Sequence, residues 1–241
     1  MRRIEVDVAR GVAIILMIIY HFSFDVNYFG IAKINLYDLS WILFQRSIGT
    51  LFLLLVGISL TLSESRNKEG HIKHAKRALM LGAVAFVITI ATWIYPNEGF
   101  VQFGIIHLIA VSTLLAPLFF RFRWMNAVLG LIVIFAGLYI GMNNMSTESK
   151  YLFWLGIVYP GYQALDHYPM LPWFGVVLIG IYLGQIVFPN GESKIKLSEK
   201  IIHNPYVQKL AFLGKNSLVV YLLHQPAMIL LLFMYKLLFL Q

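Results

Sequence analysis

Long apolar segments constrain this chain more than any other feature. Seven of them occupy residues 11–20, 41–62, 78–95, 100–120, 124–142, 171–188 and 218–240. Most approach the roughly 20 residues that a helix needs to cross about 30 Å of hydrocarbon. The first reaches that length if its helix runs from residue 6 to residue 24. Because backbone amides in lipid must be paired, and because these segments lack apolar/polar alternation, helices are favoured over a barrel. We predict an all-α polytopic transmembrane helix bundle with about seven spans.

The basic residues indicate how the bundle is inserted. The net charge is +8, and 14 of the 19 Lys and Arg residues lie on one side if the N-terminus is cytoplasmic. They are Arg2, Arg3, Arg66, Lys68, Lys73, Lys76, Arg77, Arg121, Arg123, Lys194, Lys196, Lys200, Lys209 and Lys215. The positive-inside rule therefore predicts a cytoplasmic N-terminus in a protein of the cell membrane, and nucleic acid is not needed to explain the charge. The first span is expected to be retained, because no small-residue cleavage site follows it.

One transmembrane domain is expected to cover residues 1–241. The apolar stretch 151–159 is too short to span, so we predict an interfacial or re-entrant segment, with an eighth span as the alternative. The chain has no cysteine, which removes disulfides and thiolate chemistry. It also has no phosphate-binding glycine loop, zinc-protease motif or serine nucleophile elbow, and we expect no metal.

Four polar residues within or beside the first span form the main candidate site. Asp7, Arg10, His21 and Asp25 fall on one helical face, because they are separated by 3, 11 and 4 residues. Arg10 and His21 would lie about 16 Å apart along the axis, which suits an acyl thioester on a pantetheine arm. Arg10 could bind a phosphate of that donor, and His21 could act as general base near the acyl carbon. The alternative is a structural Asp7–Arg10 pair with His21 as a core hydrogen-bonding group.

Polar residues in other predicted spans are weaker candidates. Arg46 would lie at the depth of His21 and could pair with Asp25 or Asp38, or stabilise an oxyanion. His107 lies alone on an apolar helix, where a histidine is more often a satisfied core residue than a ligand. On the last span, one face carries Ser217, Tyr221 and His224, followed by Gln225, although such groups often only join helices. Asp166 leads into Trp173 at an outer boundary, where the segment could be a substrate-facing rim or an anchor.

Several motifs, in order along the chain, resemble the heparan-α-glucosaminide N-acetyltransferase-like family of membrane acyltransferases. The motifs are Asp-Val-Ala-Arg-Gly from Asp7, Gly-Thr-Leu-Phe from Gly49, Gly-Ile-Ile-His-Leu from Gly104, Asp-His-Tyr-Pro-Met-Leu-Pro-Trp from Asp166, Leu-Gly-Lys-Asn-Ser-Leu from Leu213 and Tyr-Leu-Leu-His-Gln-Pro from Tyr221. The spacing of Arg10 and His21 is also similar to that of the related acyltransferase-3 family. The lysosomal members place a catalytic histidine in the loop after the first helix, whereas here no histidine lies between His21 and His71.

The resemblance implies an acetyl-CoA-dependent acyltransferase that acts on an amine or hydroxyl of an extracytoplasmic sugar-like acceptor. His21, Asp25 and Arg46 would be catalytic, with Asp25 orienting the His21 imidazole and with His107 and His224 as reserve bases. Residues expected to bind the donor are Asp7, Arg10, His107, Ser217, Tyr221 and His224. Residues expected to bind the acceptor are Asp38, Asp166, Trp173 and Gln225. The expected partners are acetyl-CoA, a sugar-like or glycolipid acceptor and the lipid bilayer, with a homodimer left open. The alternative function is a transporter or lipid-handling protein that uses the same polar face.

Overall fold

The computed structural model describes residues 3–65, 70–195 and 197–239, and these residues form nine α-helices without a β-sheet. The helices are α1 (Ile4–Tyr28), α2 (Leu39–Glu64), α3 (Gly70–Ile94), α4 (Ile105–Leu115), α5 (Met125–Met142), α6 (Met170–Val187), α7 (Glu199–Ile202), α8 (Pro205–Lys215) and α9 (Ser217–Phe239). Four basic residues used to predict the orientation, Arg2, Arg66, Lys68 and Lys196, lie outside the described residues.

The predicted polytopic helical bundle is confirmed. In the described part of the chain, six helices are long and apolar enough to cross a membrane, namely α1, α2, α3, α5, α6 and α9. Each coincides with one predicted apolar segment, because the length of an uninterrupted apolar run sets the length of a spanning helix. The chain is therefore a multi-pass membrane protein.

The fourth predicted span forms a shorter helix than expected. Of residues 100–120, only Ile105–Leu115 is α-helical, and two 3₁₀ turns, Ala116–Leu118 and Phe120–Phe122, follow it. Pro117 explains the change, because proline has no N–H to continue the α-helical hydrogen bonds. Before the helix, Phe103 is paired with His167 in an isolated β-bridge.

Residues 151–159 do not form an eighth spanning helix. They contain one 3₁₀ turn, Phe153–Leu155, which ends at Gly156 with a φ of +108°. Only glycine adopts such a backbone conformation without strain, so the chain reverses here instead of continuing as a helix.

The helices group into two compact units. The terminal unit comprises Met1–Phe52 and Ile195–Gln241, and the central unit comprises Leu53–Lys194, so the boundary lies within α2. The expectation of one domain over residues 1–241 stays a prediction.

In the terminal unit, α1 packs against both α8 and α9. Ile14, Met17 and Ile48 form its buried apolar cluster, and Val220 and Tyr221 of α9 pack against that cluster. Gly214 of α8 lies directly against the Asp7 backbone, where even a methyl group would not fit. Small residues allow helices in a membrane to approach this closely.

In the central unit, glycines line the main helix contacts. A Cβ at Gly130 of α5 would lie 2.8 Å from the Gly175 oxygen of α6, and Gly57 of α2 meets the backbone of α6 in the same way. Thr61 of α2 adds a polar link, since its hydroxyl lies 3.2 Å from the Ile181 oxygen. Close backbone packing therefore holds the α6 region together.

Candidate functional site

The first half of the predicted polar face on α1 is an ion pair. Arg10 Nη1 lies 3.1 Å from Asp7 Oδ1, and Asp7 is 8% exposed. Gly214 of α8 packs on the backbone of the same turn. The pair matches the structural alternative for these two residues.

The second half of that face carries an oriented imidazole. His21 Nδ1 lies 3.0 Å from the main-chain oxygen of Met17, one turn earlier on α1. A carbonyl oxygen can only accept, so Nδ1 is the donor and carries the proton. In the neutral ring, Nε2 then holds the lone pair. His21 is therefore in the tautomer that a general base requires.

A second imidazole from α9 packs against the first. The ring centroids of His21 and His224 are 4.9 Å apart, with an interplanar angle of 74°. His224 Nδ1 donates to the Tyr221 oxygen over 2.6 Å, so its Nε2 also holds a lone pair in the neutral ring. That Nε2 is buried and has no hydrogen-bond partner among the described residues.

Asp25 and Gln225 extend the same contact between α1 and α9. Gln225 Nε2 donates to Asp25 Oδ1 over 2.7 Å, and Asp25 is only 2% exposed. Within the described residues, Asp25 Oδ2 and Gln225 Oε1 are buried without a hydrogen-bond partner. We call His21, Asp25, His224 and Gln225 the imidazole cluster.

Two expected contacts of Asp25 are replaced by others. Its carboxyl group was expected to orient the His21 imidazole, but the Met17 carbonyl does so, because it lies one helical turn before His21. Arg46 was expected to pair with Asp25 or Asp38, yet it is exposed and makes no ion pair with either in the described part of the chain. Asp38 instead accepts a hydrogen bond of 2.7 Å from Asn35.

The sequence of α9 contains a proline beside the residues that this helix contributes to the imidazole cluster. Pro226 lies inside the helix immediately after Gln225. Proline has no N–H, so the Leu222 carbonyl loses its usual donor and the helix is weakened at this turn. Tyr221 packs with its ring centroid 5.7 Å from that of His224, while Ser217 is the first residue of α9.

His107 lies in the central unit, where both of its ring nitrogens are engaged. The Gly104 amide donates to His107 Nδ1 over 3.2 Å, so Nε2 carries the proton and faces Thr89 Oγ1 at 3.2 Å. Thr89 in turn donates to the Val101 oxygen over 2.8 Å. This chain of hydrogen bonds joins α3 to the start of α4, as a satisfied core histidine would.

Asp166 and Trp173 also lie in the central unit. Asp166 Oδ2 accepts the Ile105 amide over 2.9 Å at the start of α4, and burial raises the pKa of this carboxyl to about 6. Burial lowers the pKa of the neighbouring His167 to about 4, and the ring is hydrogen-bonded to the Tyr162 hydroxyl at 2.9 Å. Trp173 packs against Tyr168, with ring centroids 4.8 Å apart and an interplanar angle of 44°.

The sequence pattern could not reveal two parts of the site. The Met17 carbonyl is a main-chain group, which leaves no signal in residue identity. The pairing of α1 with α9 joins residues 200 positions apart, and no short motif reports it. Within the described residues, no three His, Asp or Glu side chains group as a metal site, and the expected absence of a metal stays a prediction.

Apolar spanning helices, two of which bring a pair of half-buried imidazoles together, define a polytopic membrane protein. A family model described as "Heparan-alpha-glucosaminide N-acetyltransferase, catalytic" matches residues 2–226, a range that contains the whole imidazole cluster. The chain therefore belongs to this family and is an acetyltransferase-type membrane enzyme. No curated protein and no solved structure matches it. The relation to the acyltransferase-3 family stays a prediction.

Proposed function

We propose that this enzyme transfers an acetyl group from acetyl-CoA to an amine or hydroxyl of a sugar-like acceptor, with His21 as general base. The family suggests both the donor and the kind of acceptor. The observation that carries the proposal is the hydrogen bond from His21 Nδ1 to the Met17 oxygen, which leaves Nε2 as the basic atom. The proposed setting is the cell membrane, with acetyl-CoA supplied from the cytoplasm.

The reaction needs one proton to move twice. As the acceptor nitrogen or oxygen attacks the thioester carbon, His21 Nε2 takes the proton that the nucleophile loses. The tetrahedral intermediate then collapses, the carbon–sulfur bond breaks, and the CoA thiolate leaves. His21 returns the proton to that thiolate, so the products are the acetylated acceptor and free CoA. No other reactant is required.

The remaining atoms of the imidazole cluster favour a ligand rich in hydrogen-bond donors. His224 Nε2 and Gln225 Oε1 are acceptors, and both are buried without a partner among the described residues. An unsatisfied buried polar atom costs about 1–3 kcal/mol, so an acceptor that brings N–H or O–H groups would recover part of that cost on binding. Amines and hydroxyls of sugars supply such groups.

Donor binding is assigned to the inner half of α1. Arg10 lies about 16 Å along the axis from His21, which is compatible with a pantetheine arm between a phosphate and the acyl carbon, and Asp7 lies about one turn beyond Arg10. Arg10 would bind phosphate through its guanidinium group. Ser217 and Tyr221 remain predicted donor contacts, as does His107, despite its satisfied ring. The role of Arg46 as oxyanion stabiliser also remains a prediction. The same holds for the acceptor contacts expected of Asp38, Asp166 and Trp173.

The test is acetyl transfer by the purified protein in phospholipid nanodiscs. His21→Gln should lower kcat by roughly 10²–10⁴-fold, the usual contribution of a general base, while acetyl-CoA binding stays within about twofold. His71→Gln is the matched control, since His71 is an exposed histidine on α3. Normal transfer by His21→Gln would refute the assignment, and a wild-type protein that neither binds nor uses acetyl-CoA would refute the function.

Three further measurements test the covalent route, the orientation and the oligomeric state. Rapid mixing with labelled acetyl-CoA without acceptor distinguishes direct transfer, which leaves the protein unlabelled, from a covalent acetyl-His21 intermediate. Because the chain has no cysteine, Lys73→Cys and Glu148→Cys can report orientation in intact cells. A membrane-impermeant maleimide should label only the second variant if the N-terminus is cytoplasmic. The homodimer stays a prediction that sedimentation in detergent can measure.

A further inference from the structure

An apolar groove lies beside the imidazole cluster, within the terminal unit. Its volume is about 370 Å³. Its lining residues are Ile18 of α1 and Val219, Val220, Leu223, His224, Ala227 and Met228 of α9. Because all of these residues belong to spanning helices, the groove lies in the part of the terminal unit that is embedded in hydrocarbon.

The groove follows one face of α9. Val219, Leu223 and Ala227 recur every four residues, and Val220, His224 and Met228 form the adjacent row. From Val219 to Met228, the rise of the helix is about 14 Å. The groove therefore extends along about this length of α9, as an extended chain requires.

The lining excludes a sugar ring or an amide-bearing arm as the occupant. The accessible wall is entirely apolar, since the buried Nε2 of His224 does not reach it. A hydroxyl or amide placed there would lose its hydrogen bonds to water without gaining others. An alkyl chain has no such requirement. Since a water-sized group occupies about 30 Å³, the groove holds roughly a dozen methylene groups.

His224 connects the groove to the proposed chemistry. Its ring carbons contribute to the groove, and the same ring packs 4.9 Å from that of His21. On α1, Ile18 lies one turn before His21. The middle of the groove therefore lies beside the pair of imidazoles.

We propose that this groove binds the alkyl chain of a membrane-borne acetyl acceptor, whose amine or hydroxyl then reaches His21. The inference rests on the proposed function and narrows it, because it makes the acceptor an amphiphile instead of a free sugar. The donor is a poorer occupant, since the acetyl group has two carbons and CoA is polar throughout.

The first test compares two acceptors with one head group, a methyl and a decyl glycoside of the same amino sugar, in phosphatidylcholine nanodiscs. Ala227→Phe fills the groove from an exposed position, so the fold should tolerate it. We expect it to lower the ratio of decyl to methyl kcat/KM about tenfold relative to wild type, which corresponds to 1.4 kcal/mol. The matched control is Ala91→Phe, at an exposed position on α3, which should leave the ratio unchanged. Because wild type and variants are compared in the same membrane, the difference in how the two acceptors partition into it cancels from the comparison.

The second test does not require acetyl transfer. A decyl glycoside with a diazirine at the end of its chain is photo-crosslinked without acetyl-CoA, and the labelled peptides are identified by mass spectrometry. We expect labelling of residues 219–228 that falls at least fivefold in Ala227→Phe. Equal labelling of the exposed face of α5 would show that the groove holds only bulk lipid and would overturn the proposal.

The two proposals can fail separately. An unchanged decyl-to-methyl ratio in Ala227→Phe, with normal transfer, would overturn the groove assignment and leave acetyl transfer standing. Specific crosslinking in the groove, together with no transfer to any acceptor, would overturn the proposed function instead. A preference for decanoyl-CoA over acetyl-CoA that Ala227→Phe abolishes would place the donor in the groove and also refute the proposal.

Discussion

The hydrogen bond between Asp25 and Gln225 should contribute measurably to the stability of the terminal unit. Its length of 2.7 Å is at the short end of the usual range, and Asp25 is 2% exposed. Hydrogen bonds between helices in membranes average about 0.6 kcal/mol, with a maximum near 1.7. A bond to a carboxylate is roughly twice as strong as a neutral one. We therefore expect a coupling free energy of about 1.2 kcal/mol between the two side chains.

A double-mutant cycle measures that coupling. Gln225→Ala alone should lower the free energy of unfolding by about 2–3 kcal/mol, because it leaves both carboxyl oxygens of Asp25 buried without a partner. Asp25→Ala and the double variant complete the cycle, in which cavity terms largely cancel. The measurement is unfolding by SDS in mixed micelles, followed by tryptophan fluorescence.

The chain offers a matched control for this cycle. Asn35 and Asp38 form a side-chain hydrogen bond of the same 2.7 Å length, but at an exposed position. Solvent should reduce its coupling to below about 0.5 kcal/mol. If the buried pair gives no more than the exposed pair, the reasoning about burial and charge at Asp25 is wrong.

Two other predictions concern the packing and the pH response. Gly214→Ala should destabilise the protein by at least about 1–3 kcal/mol in a thermal assay, because the new Cβ would lie 2.8 Å from the Asp7 carbonyl carbon. Gly82→Ala is the control, and it should be neutral or stabilising in the same assay because a Cβ there would have nothing within 4 Å. Asp166→Asn should gain stability relative to wild type as the pH rises from about 4 to 6. The raised pKa of Asp166, about 6 against the usual 3.8, means that the folded state holds the proton more tightly and loses stability when the carboxyl ionises. The difference should reach about 3 kcal/mol at pH 7 and vanish below pH 4, and equal pH profiles for the two proteins would contradict it.

The helices of this fold were largely predictable, because spanning segments are set by local composition. The predicted length of a helix was wrong where a proline interrupts the apolar segment. Pro117 does this in the fourth segment, and the α-helix there ends earlier than expected. The stretch 151–159 was correctly judged too short to span, because length alone decides that question.

The sequence predicted only those parts of the site that lie together on a single helix. Helical spacing placed His21 and Asp25 on one face of α1, and the structure has both in the imidazole cluster. The partner of Asp25 was not predictable, since charge alone favoured Arg46 while packing brings Gln225. Residues far apart in the chain meet through tertiary contacts, which local spacing does not encode.

The origin of the imidazole cluster from α1 and α9 has a consequence for biosynthesis. Asp25 and Gln225 are separated by 200 residues, and translation proceeds at about 5–20 residues per second. The second half of the cluster therefore leaves the ribosome roughly 10–40 s after the first. During that interval α1 is already made, but His21 lacks His224 and Asp25 lacks its partner. A nascent chain without α9 would have no complete imidazole cluster, so under the proposed function the enzyme becomes competent only when α9 is inserted.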